Sequence, residues 1–227
     1  MNTNKVAVVT ESGNGLGKTF ANILLVNAYD VVLAASNESY ELLSKEEEVL
    51  RDYELVQTDF IFDKSIQELK EKIASEYGKL DLLVNNAEVA NGFGQKIDQI
   101  DINEVRQAFE IIVFTVIRMV QLFKPLLENS DSPNVINITS SIGCIDKMRD
   151  EDFYYSDYYM TGYSCSKAAL NMYTHLQSKE FKTSNINISV FDPILPNNCT
   201  HNSVVICNGI KDEFISLIKN EPLDIDN

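Results

Sequence analysis

A tyrosine and a lysine four residues apart are the part of this chain best suited to proton transfer. On a helix, Tyr163 and Lys167 would lie one turn apart on the same face. An ammonium group close to a phenol stabilises the phenolate, so a hydroxyl with an ordinary pKa of about 10 becomes a usable acid or base near neutral pH. Upstream, Ser140 carries a hydroxyl that can hold a substrate oxygen beside this pair. The three residues predict hydride chemistry on a carbonyl or an alcohol.

A glycine-rich turn near the N-terminus predicts a nucleotide site. Residues 5–9 form a short β-branched apolar run, which is typical of a buried parallel strand. Residues 10–17 follow as Thr-Glu-Ser-Gly-Asn-Gly-Leu-Gly, and an apolar-periodic helix is predicted from Leu16 to Ala28. The glycines of such a turn let the backbone approach a pyrophosphate, and the helix N-terminus offers it unpaired N–H groups. The spacing is not Gly-x-Gly-x-x-Gly, because Lys18 stands at the third glycine position.

Six segments in order along residues 5–193 together resemble the short-chain dehydrogenase/reductase family. Thr10, Gly15 and Gly17 match its Thr-Gly-x-x-x-Gly-x-Gly turn, and residues 80–87 resemble its strand ending in Asn-Asn-Ala-Gly. Residues 137–143 resemble the strand that carries its catalytic serine, and residues 163–167 match its Tyr-x-x-x-Lys motif. The other two segments are Asp59, which resembles an adenine-contacting aspartate, and Asp192-Pro193, which resembles the start of a Pro-Gly turn. Residues 162–172 look most like the carbonyl-reductase-like branch.

The resemblance implies a role for each matching residue. Tyr163 is expected to exchange the substrate proton, Lys167 to lower its pKa and bind the nicotinamide ribose, and Ser140 to position the substrate oxygen. The residues expected to contact the cofactor are Thr10, Ser12, Gly13, Asn14, Gly15, Leu16, Gly17, Ser36, Asn37, Asp59, Asn85, Ala87, Tyr163, Lys167 and Pro193. The second strand ends in Ala-Ala-Ser-Asn, with neither the acid that the family uses for NAD nor an arginine for NADP. NAD and NADP are therefore both open as the cofactor.

Four positions depart from the family pattern: Glu11, Glu88 and Ile194 replace motif glycines, and Ile112 replaces an asparagine. A carboxylate at residue 11 about 5 Å from a pyrophosphate would cost about 3 kcal/mol, whereas one that faces solvent would cost little. A positive φ at this residue would cost about 1–2 kcal/mol more. The isoleucine removes a polar group that would anchor a relay water, so slower proton exchange is expected rather than its loss.

Composition predicts one enzyme-sized domain over residues 1–227. The formal charge is −15, from 34 acidic and 19 basic residues, which argues against binding to nucleic acid or to an anionic membrane surface. No apolar run approaches the roughly 20 residues of a membrane span, and no leader segment precedes the first strand, so we expect a cytoplasmic location. The four cysteines show no Cys-x-x-Cys pair, which predicts free thiols and no metal site.

Strands and helices alternate along most of the chain. The predicted strands are residues 5–9, 29–35, 54–57, 80–84, 135–138 and 186–191; the predicted helices are 16–28, 38–52, 63–77, 102–129, 162–182 and 211–220, with residues 223–227 a weak seventh strand. We expect Asp63 to be an N-cap and Gly78 to end that helix. The fold class is therefore α/β: a single-domain, doubly wound Rossmann-type parallel sheet of six or seven strands with helices on both faces. Ligands then bind beyond the carboxyl ends of the strands.

Two functions fit these observations. The first is an NAD(P)-dependent oxidoreductase that acts on a small carbonyl or alcohol; the alternative is a pseudoenzyme on the same fold, impaired in cofactor use, that binds or regulates a partner, with a structural subunit as a third reading. The acidic and aromatic segment Asp146–Met160 is either a solvated loop or a wall of the substrate pocket. The family commonly dimerises through the helices predicted at 102–129 and 162–182, so a homodimer or homotetramer is expected.

Overall fold

A computed structural model of the chain describes residues 4–11, 15–47, 52–193 and 208–219, with only the backbone given for residues 208–210. In this part of the chain six strands form one parallel sheet in the order β3-β2-β1-β4-β5-β6. The strands are β1 (Lys5–Thr10), β2 (Tyr29–Ala35), β3 (Glu54–Gln57), β4 (Leu82–Asn85), β5 (Asn134–Ile138) and β6 (Asn187–Phe191). The predicted fold class is confirmed, and the weak seventh strand at residues 223–227 lies outside the described residues.

Helices cover both faces of the sheet. They are α1 (Leu16–Val26), α2 (Asn37–Leu43), α3 (Asp63–Glu76), α4 (Ile102–Phe109), α5 (Thr115–Leu127), α6 (Ile145–Arg149), α7 (Thr161–Glu180) and α8 (Asn208–Lys219). A π-helical turn at Glu110–Phe114 joins α4 to α5, and short 3₁₀ turns lie at Ser141–Gly143 and Phe181–Thr183. Because all six strands are parallel, each connection returns the chain to the end of the sheet at which the strands begin.

The alternation of side chains along the strands builds two hydrophobic cores. Val6 and Val8 of β1 pack with residues of α3, α5 and α7 on one face, whereas Ala7 and Val9 pack with α1 and α8 on the other. Successive side chains of a strand point to opposite faces, so this apolar run is buried on both sides. On the second face the rings of Phe20 and Phe214 stack with centroids 4.5 Å apart. The two cores hold the carboxyl ends of the strands in a fixed arrangement.

Two details of the predicted helices are wrong. Helix α2 ends at Leu43, so the single helix predicted over residues 38–52 is interrupted after that residue. Asp63 is the first residue of α3 rather than its N-cap, and its carboxylate lies 3.0 Å from Nε of Arg118 on α5. The competing ion pair draws the side chain away from the helix backbone. The predicted stop at Gly78 is confirmed, since its φ is 71° and its N–H donates to the carbonyl of Ile73 at 3.2 Å.

The long helix predicted over residues 102–129 is interrupted by the π turn. Thr115 at its end donates a hydrogen bond to the carbonyl of Glu110 and also lies within 3.1 Å of the carbonyl of Phe60. Ile112 lies inside the turn and is buried in the core. Single π turns within α-helices are frequent at functional sites. The position where the family has an asparagine is thus a buried isoleucine inside this turn.

Candidate active site

The predicted catalytic residues come together at the carboxyl end of β5. Tyr163 and Lys167 lie on α7, and Ser140 is the second residue after β5, just before the 3₁₀ turn. The loop after the serine packs tightly on α7, because a Cβ at Gly143 would lie 2.7 Å from Cβ of Lys167 and 2.8 Å from the backbone nitrogen of Ala168. Only glycine permits this approach without displacement. The glycine therefore sets the distance between the serine loop and the helix that carries the tyrosine.

Lys167 is a buried cation with few partners. Its side chain is 1% exposed. The ammonium donates a 2.8 Å hydrogen bond to the carbonyl of Ile138 at the end of β5, and lies 5.4 Å from the ring centroid of Tyr163. A buried charge is costly unless it is paired. The position of this ammonium beside the phenol is the geometry expected for lowering the phenol's pKa.

Glu88 is the third charged group of this centre, and the sequence reading did not foresee its contacts. Its carboxylate oxygen lies 3.2 Å from Nζ of Lys167 and accepts a hydrogen bond from the hydroxyl of Tyr163 at 3.2 Å. Burial, together with the negative charge of Glu88, raises the pKa of Tyr163 well above its ordinary value, although hydrogen bonding with Ser140 acts the other way. The carboxylate thus opposes the effect of the lysine. In this arrangement the tyrosine is protonated at neutral pH.

A cleft of about 470 Å³ opens over the catalytic residues, and we call it the catalytic cleft. Its described lining residues are Leu16, Glu88, Ala90, Phe93, Ile138, Thr139, Ser140, Ser141, Ile142, Phe153, Tyr155, Tyr158, Met160, Tyr163, Asp192 and Pro193. The segment Asp146–Met160 supplies four of these side chains, so the structure favours the pocket-wall interpretation over the solvated loop. The ring of Tyr158 meets those of Tyr155 and Phe93 edge to face, at 4.9 and 5.1 Å. The wall is therefore a packed aromatic cluster.

A second cleft of about 710 Å³ lies beyond the ends of β1, β2 and β3, and we call it the adenosine cleft. Its described lining residues are Glu11, Ser36, Asn37, Glu38, Ser39, Gln57, Asp59, Phe60, Ile61, Ala87, Glu88, Val89, Gln107 and Ile111. Four of the predicted cofactor contacts are among them: Ser36, Asn37, Asp59 and Ala87. The two clefts meet at Glu88, the one described residue that lines both. They lie where the strand order reverses between β1 and β4, the usual ligand position in such sheets.

Glu11 adopts neither of the orientations weighed from the sequence. Its φ is 52°, and its carboxylate accepts hydrogen bonds from the backbone N–H of Ser36 at 3.2 Å and from its hydroxyl at 2.8 Å. The hydroxyl of Ser39 donates a further hydrogen bond to it. The strain of a left-handed residue, about 1–2 kcal/mol, is offset by these contacts to a charged group. The carboxylate is directed to the end of β2 and the start of α2.

Two predicted cofactor residues cross-link the strands and are not among the described residues that line either cleft. The hydroxyl of Thr10 accepts hydrogen bonds from the backbone N–H groups of Asn86 and Ala87, at 2.9 and 3.1 Å. The amide of Asn85 is buried and donates to Asn137 on β5 at 2.8 Å. Both residues fix the segment that carries Glu88. Their direct contact with a cofactor stays a prediction.

The glycine turn is described only in part. Gly15 has a φ of 63° and precedes α1, where a side chain would be strained, and Gly17 is buried within the first turn of that helix. Ser12, Gly13 and Asn14 lie outside the described residues, as does Ile194. Leu16 and Pro193 line the catalytic cleft. The ends of the turn therefore flank the junction between the two clefts.

Sequence reasoning also missed a polar cluster at the mouth of the catalytic cleft. Ser141 donates a hydrogen bond to the carboxylate of Asp192, and Nζ of Lys147 lies 2.8 Å from the hydroxyl of Ser141. Asp192 and Ser141 both line the cleft. The cluster ties the start of the aromatic segment to the end of β6. No sequence signal linked these positions, because they are brought together only by the sheet.

Comparisons with known proteins identify the family. A family model for short chain dehydrogenases matches residues 5–200, and the chain belongs to the short-chain dehydrogenase/reductase family. It is 33% identical over 173 residues to (+)-neomenthol dehydrogenase of Arabidopsis thaliana, which covers 66% of this chain and 58% of that protein. It is 28% identical over 193 residues to a diacetyl reductase of Staphylococcus epidermidis, which covers 83% of this chain and 70% of that protein. Members of this family are oxidoreductases that use NAD or NADP.

Solved structures show the same fold. An NADPH-bound carbonyl reductase from chicken fatty liver superposes with a TM-score of 0.73 at 23% identity, over 85% of this chain and 80% of that chain. The RhlG/NADP complex of Pseudomonas aeruginosa superposes with a TM-score of 0.68 at 25% identity, over 83% of this chain and 72% of that chain. These similarities establish the Rossmann-type architecture. The activity of this chain has to be argued from its own residues.

The described residues fit a dinucleotide that spans the two clefts. The adenosine cleft offers polar side chains, among them Asp59 and Asn37, and the catalytic cleft is lined by Tyr163, with the buried Lys167 behind its ring. Glu88 lies at the junction, where it has to turn aside for a ligand to pass. Its side chain is 42% exposed, which leaves room for that rotation. Seven of the predicted cofactor residues line one of the two clefts: Leu16, Ser36, Asn37, Asp59, Ala87, Tyr163 and Pro193.

Two further features bear on the predicted class. In the described ranges, none of the helices combines the length and the apolar character needed to cross a bilayer. The described residues also contain no group of three or more His, Cys, Asp or Glu side chains arranged to hold a metal ion. Cys144 and Cys165 are free thiols, whereas Cys199 and Cys207 lie outside the described residues.

Proposed function

We propose that this protein is an NAD(P)-dependent oxidoreductase that transfers hydride between its cofactor and a small carbonyl or alcohol, with Tyr163 as the acid or base. The observation that carries this proposal is the convergence of three groups on one apolar cleft. The phenol of Tyr163 and the hydroxyl of Ser140 line this cleft, and the buried ammonium of Lys167 lies behind them, 5.4 Å from the centroid of the tyrosine ring. A carbonyl that enters the catalytic cleft meets a proton donor and a second hydroxyl at the same place.

The chemistry divides between cofactor and protein. The cofactor, when bound, supplies or accepts the hydride. Ser140 donates a hydrogen bond to the substrate oxygen and holds it beside Tyr163. Tyr163 gives its proton to that oxygen as negative charge develops there, and Lys167 stabilises the phenolate that results.

The charges around the tyrosine favour the reductive direction near neutral pH. Burial and Glu88 raise the pKa of Tyr163, so the phenol carries the proton that a carbonyl needs. Oxidation of an alcohol needs the phenolate instead, which the same surroundings disfavour. The initial rate of carbonyl reduction is therefore expected to change little around neutral pH, whereas the initial rate of alcohol oxidation should increase as the pH rises.

The walls of the catalytic cleft favour a neutral, largely apolar substrate. Phe93, Tyr155 and Tyr158 form one continuous aromatic surface, and Ile142 and Met160 add aliphatic area. Asp192 and Glu88 place negative charge at the rim, which disfavours an anionic substrate. The names of the relatives, a neomenthol dehydrogenase and a diacetyl reductase, agree with a small uncharged alcohol or ketone.

The test begins with a titration of the purified protein with NADH and NADPH, followed by nicotinamide fluorescence and calorimetry. Micromolar binding of either cofactor supports the proposal and justifies assays that follow the reduction of diacetyl and the oxidation of neomenthol. Tyr163→Phe is then expected to reduce turnover by at least about a hundredfold while cofactor affinity stays within about twofold. Tyr154→Phe is the matched control, since Tyr154 is exposed and belongs to the same aromatic segment. Retained activity in Tyr163→Phe would contradict the assignment of the acid.

The alternative, a cofactor-impaired binding protein, is decided by the same titration. Its physical basis would be the Glu88–Lys167 pair, which engages the lysine that the cofactor needs. Absence of binding of both cofactors up to millimolar concentration, in the wild type and in Glu88→Gly, would favour this alternative. Binding that appears only in Glu88→Gly would show an intact site closed by one side chain.

We also propose that the protein forms a homodimer or homotetramer through the face formed by the π turn and α7. Phe114, Met172 and Leu176 are large apolar side chains that lie exposed on these elements. Exposed apolar side chains on neighbouring helices mark a candidate contact surface. Light scattering coupled to size exclusion measures the mass directly, and Met172→Glu with Leu176→Glu should yield a monomer. The cytoplasmic location stays a prediction, which imaging of the tagged protein would test.

A further inference from the structure

The carboxylate of Glu11 stands where a cofactor's adenosine ribose would be recognised, although the residue comes from the glycine turn. Glu11 follows the last residue of β1, and its N–H donates to the carbonyl of Ala34 on β2 at 2.8 Å. The side chain then reaches across to the end of β2. In dinucleotide-binding sheets of this kind, an acidic residue beyond the second strand bonds the ribose 2′-hydroxyl of NAD. The second strand of this chain ends in Ala35 and Ser36, which carry no charge.

The carboxylate is fixed in place and still has capacity to accept a hydrogen bond. Its Oε1 accepts from the hydroxyls of Ser36 and Ser39, and its Oε2 accepts from the backbone N–H of Ser36. A carboxylate offers about four acceptor positions, so the Oε2 atom has one left. Glu11 also lines the adenosine cleft, so this oxygen belongs to a group that borders the open space. A sugar hydroxyl is the donor that suits it.

The charges of the cleft discriminate against a phosphate at the same position. Among its described lining residues, four are acidic (Glu11, Glu38, Asp59 and Glu88) and none is lysine, arginine or histidine. Lys18, in the first turn of α1, is not among the described residues that line this cleft. Its ammonium pairs with Glu46. A 2′-phosphate would therefore meet a carboxylate, and its charge would have no described basic partner in this cleft.

From these contacts we propose that Glu11 makes the protein select NAD(H) over NADP(H), by accepting a hydrogen bond from the ribose 2′-hydroxyl and repelling a 2′-phosphate. The proposal rests on the proposed function, because it assigns the cofactor of the same site. It also explains how a motif glycine can become glutamate in a working site. Glu11, which replaces the glycine of the turn, supplies the acid that is absent from the end of β2.

The test measures binding, not turnover, on the full chain and on Glu11→Gln and Glu11→Gly. Calorimetry with NADH and NADPH compares the whole cofactors, and 5′-AMP with 2′,5′-ADP compares the adenosine halves alone. Glu38→Gln is the matched control, since it removes a charge from the same cleft without touching the serines that hold Glu11. Thermal unfolding of each variant checks that the fold is retained.

The wild type is expected to bind NADH at least about tenfold more tightly than NADPH, and 5′-AMP more tightly than 2′,5′-ADP by a similar factor. In Glu11→Gln and Glu11→Gly both ratios should fall towards one, whereas Glu38→Gln should keep most of the preference. Equal affinities in the wild type, or an unchanged ratio in both Glu11 variants, would overturn the proposal.

The two adenosine ligands separate this inference from the proposed function. If both dinucleotides fail to bind while 5′-AMP still binds more tightly than 2′,5′-ADP through Glu11, the oxidoreductase proposal fails and the assignment of the ribose site survives. If none of the four ligands binds, both are overturned. Tight NADPH binding with turnover would support the oxidoreductase and reject the role of Glu11.

Discussion

Replacing Glu88 by glutamine should lower the pKa of Tyr163 and increase the rate at which the enzyme oxidises an alcohol at neutral pH. The carboxylate lies 3.2 Å from the phenol oxygen. Two like charges at that distance repel by about 5 kcal/mol at an effective dielectric of about 20, and by about 1.3 kcal/mol in bulk water. Because the side chain of Glu88 is 42% exposed, the lower part of this range applies. We expect the pKa of Tyr163 to fall by about one to two units, at 1.36 kcal/mol for each.

The same substitution releases Lys167 from its 3.2 Å contact with the carboxylate. The ammonium is then free for the nicotinamide ribose, so cofactor affinity should rise by about tenfold, which is the effect of 1.4 kcal/mol. Glu88→Gly, which restores the residue of the family motif, should act in the same direction and also widen the junction between the clefts. Both effects come from one side chain, so they should appear together.

The assay is a spectrophotometric titration of tyrosinate in the near ultraviolet. The difference between Glu88→Gln and the double variant Glu88→Gln/Tyr163→Phe isolates the titration of Tyr163, and the wild type with Tyr163→Phe gives the reference. Asp146→Asn is the control, because it removes the same charge from an exposed position at the far end of the aromatic segment. The pH profile of alcohol oxidation should move to lower pH by the same amount as the titration.

Two results would refute this reasoning. An unchanged pKa of Tyr163 in both Glu88 variants would mean that the carboxylate does not approach the phenol in solution. A lower pKa together with complete loss of turnover would mean that Glu88 itself moves a proton in the reaction. In that second case the catalytic set would have four members instead of three.

Two stability predictions follow from contacts around the sheet. Gly143→Ala should lower the free energy of unfolding by about 1–3 kcal/mol, and reduce turnover more than cofactor affinity, because the new Cβ meets α7 at Lys167; chemical denaturation and kinetics measure both. Asp81→Asn should cost about 1–3 kcal/mol at neutral pH. Burial alone would raise the pKa of Asp81, but hydrogen bonds from Ser130 and the N–H of Val6, with the Lys79 ion pair, hold it below its ordinary value. The contribution of ionised Asp81 to the free energy of unfolding is therefore present above the unfolded-state pKa and lost as the pH falls through the folded-state pKa. The free energy of unfolding of Asp81→Asn should consequently depend less on pH in this acidic range than that of the wild type. Equal dependence in the two proteins would contradict this.

The sheet was predictable because its strands depend on local sequence, whereas the catalytic roles of Ser140, Tyr163 and Lys167 were predicted from the family resemblance and stay a prediction. The β-branched run at Val6 to Val9 is apolar on both faces, which marks a buried parallel strand, and the carboxyl ends of such strands must share one edge. That argument places Ser140, which comes after β5, at the ligand-binding end of the sheet. The π turn at Glu110–Phe114 was missed, since its backbone is stabilised partly by a contact from Thr115 to the distant carbonyl of Phe60.

The directions of the two glutamates could not be derived from sequence, because each is set by partners far along the chain. Glu11 is held by Ser36 and Ser39, which are 25 and 28 residues away along the chain. Glu88 contacts Tyr163, 75 residues away, and Lys167 on the same helix. Sequence reasoning treated both as damage to a glycine motif. The sequence shows that a carboxylate was added at each position, but it does not show which hydrogen-bond donors contact that carboxylate in the folded protein.

Those donors give each of the two carboxylates specific partners. A carboxylate that is buried without hydrogen-bond donors or a cation near it destabilises the folded state, because it loses its hydration. Here Glu11 meets two serine hydroxyls and a backbone N–H, and Glu88 meets an ammonium and a phenol. The two also act at different points of the path between the clefts, one at the ribose end and one at the junction. Loss of the first should alter which cofactor binds, whereas loss of the second should alter how tightly it binds and how readily Tyr163 ionises.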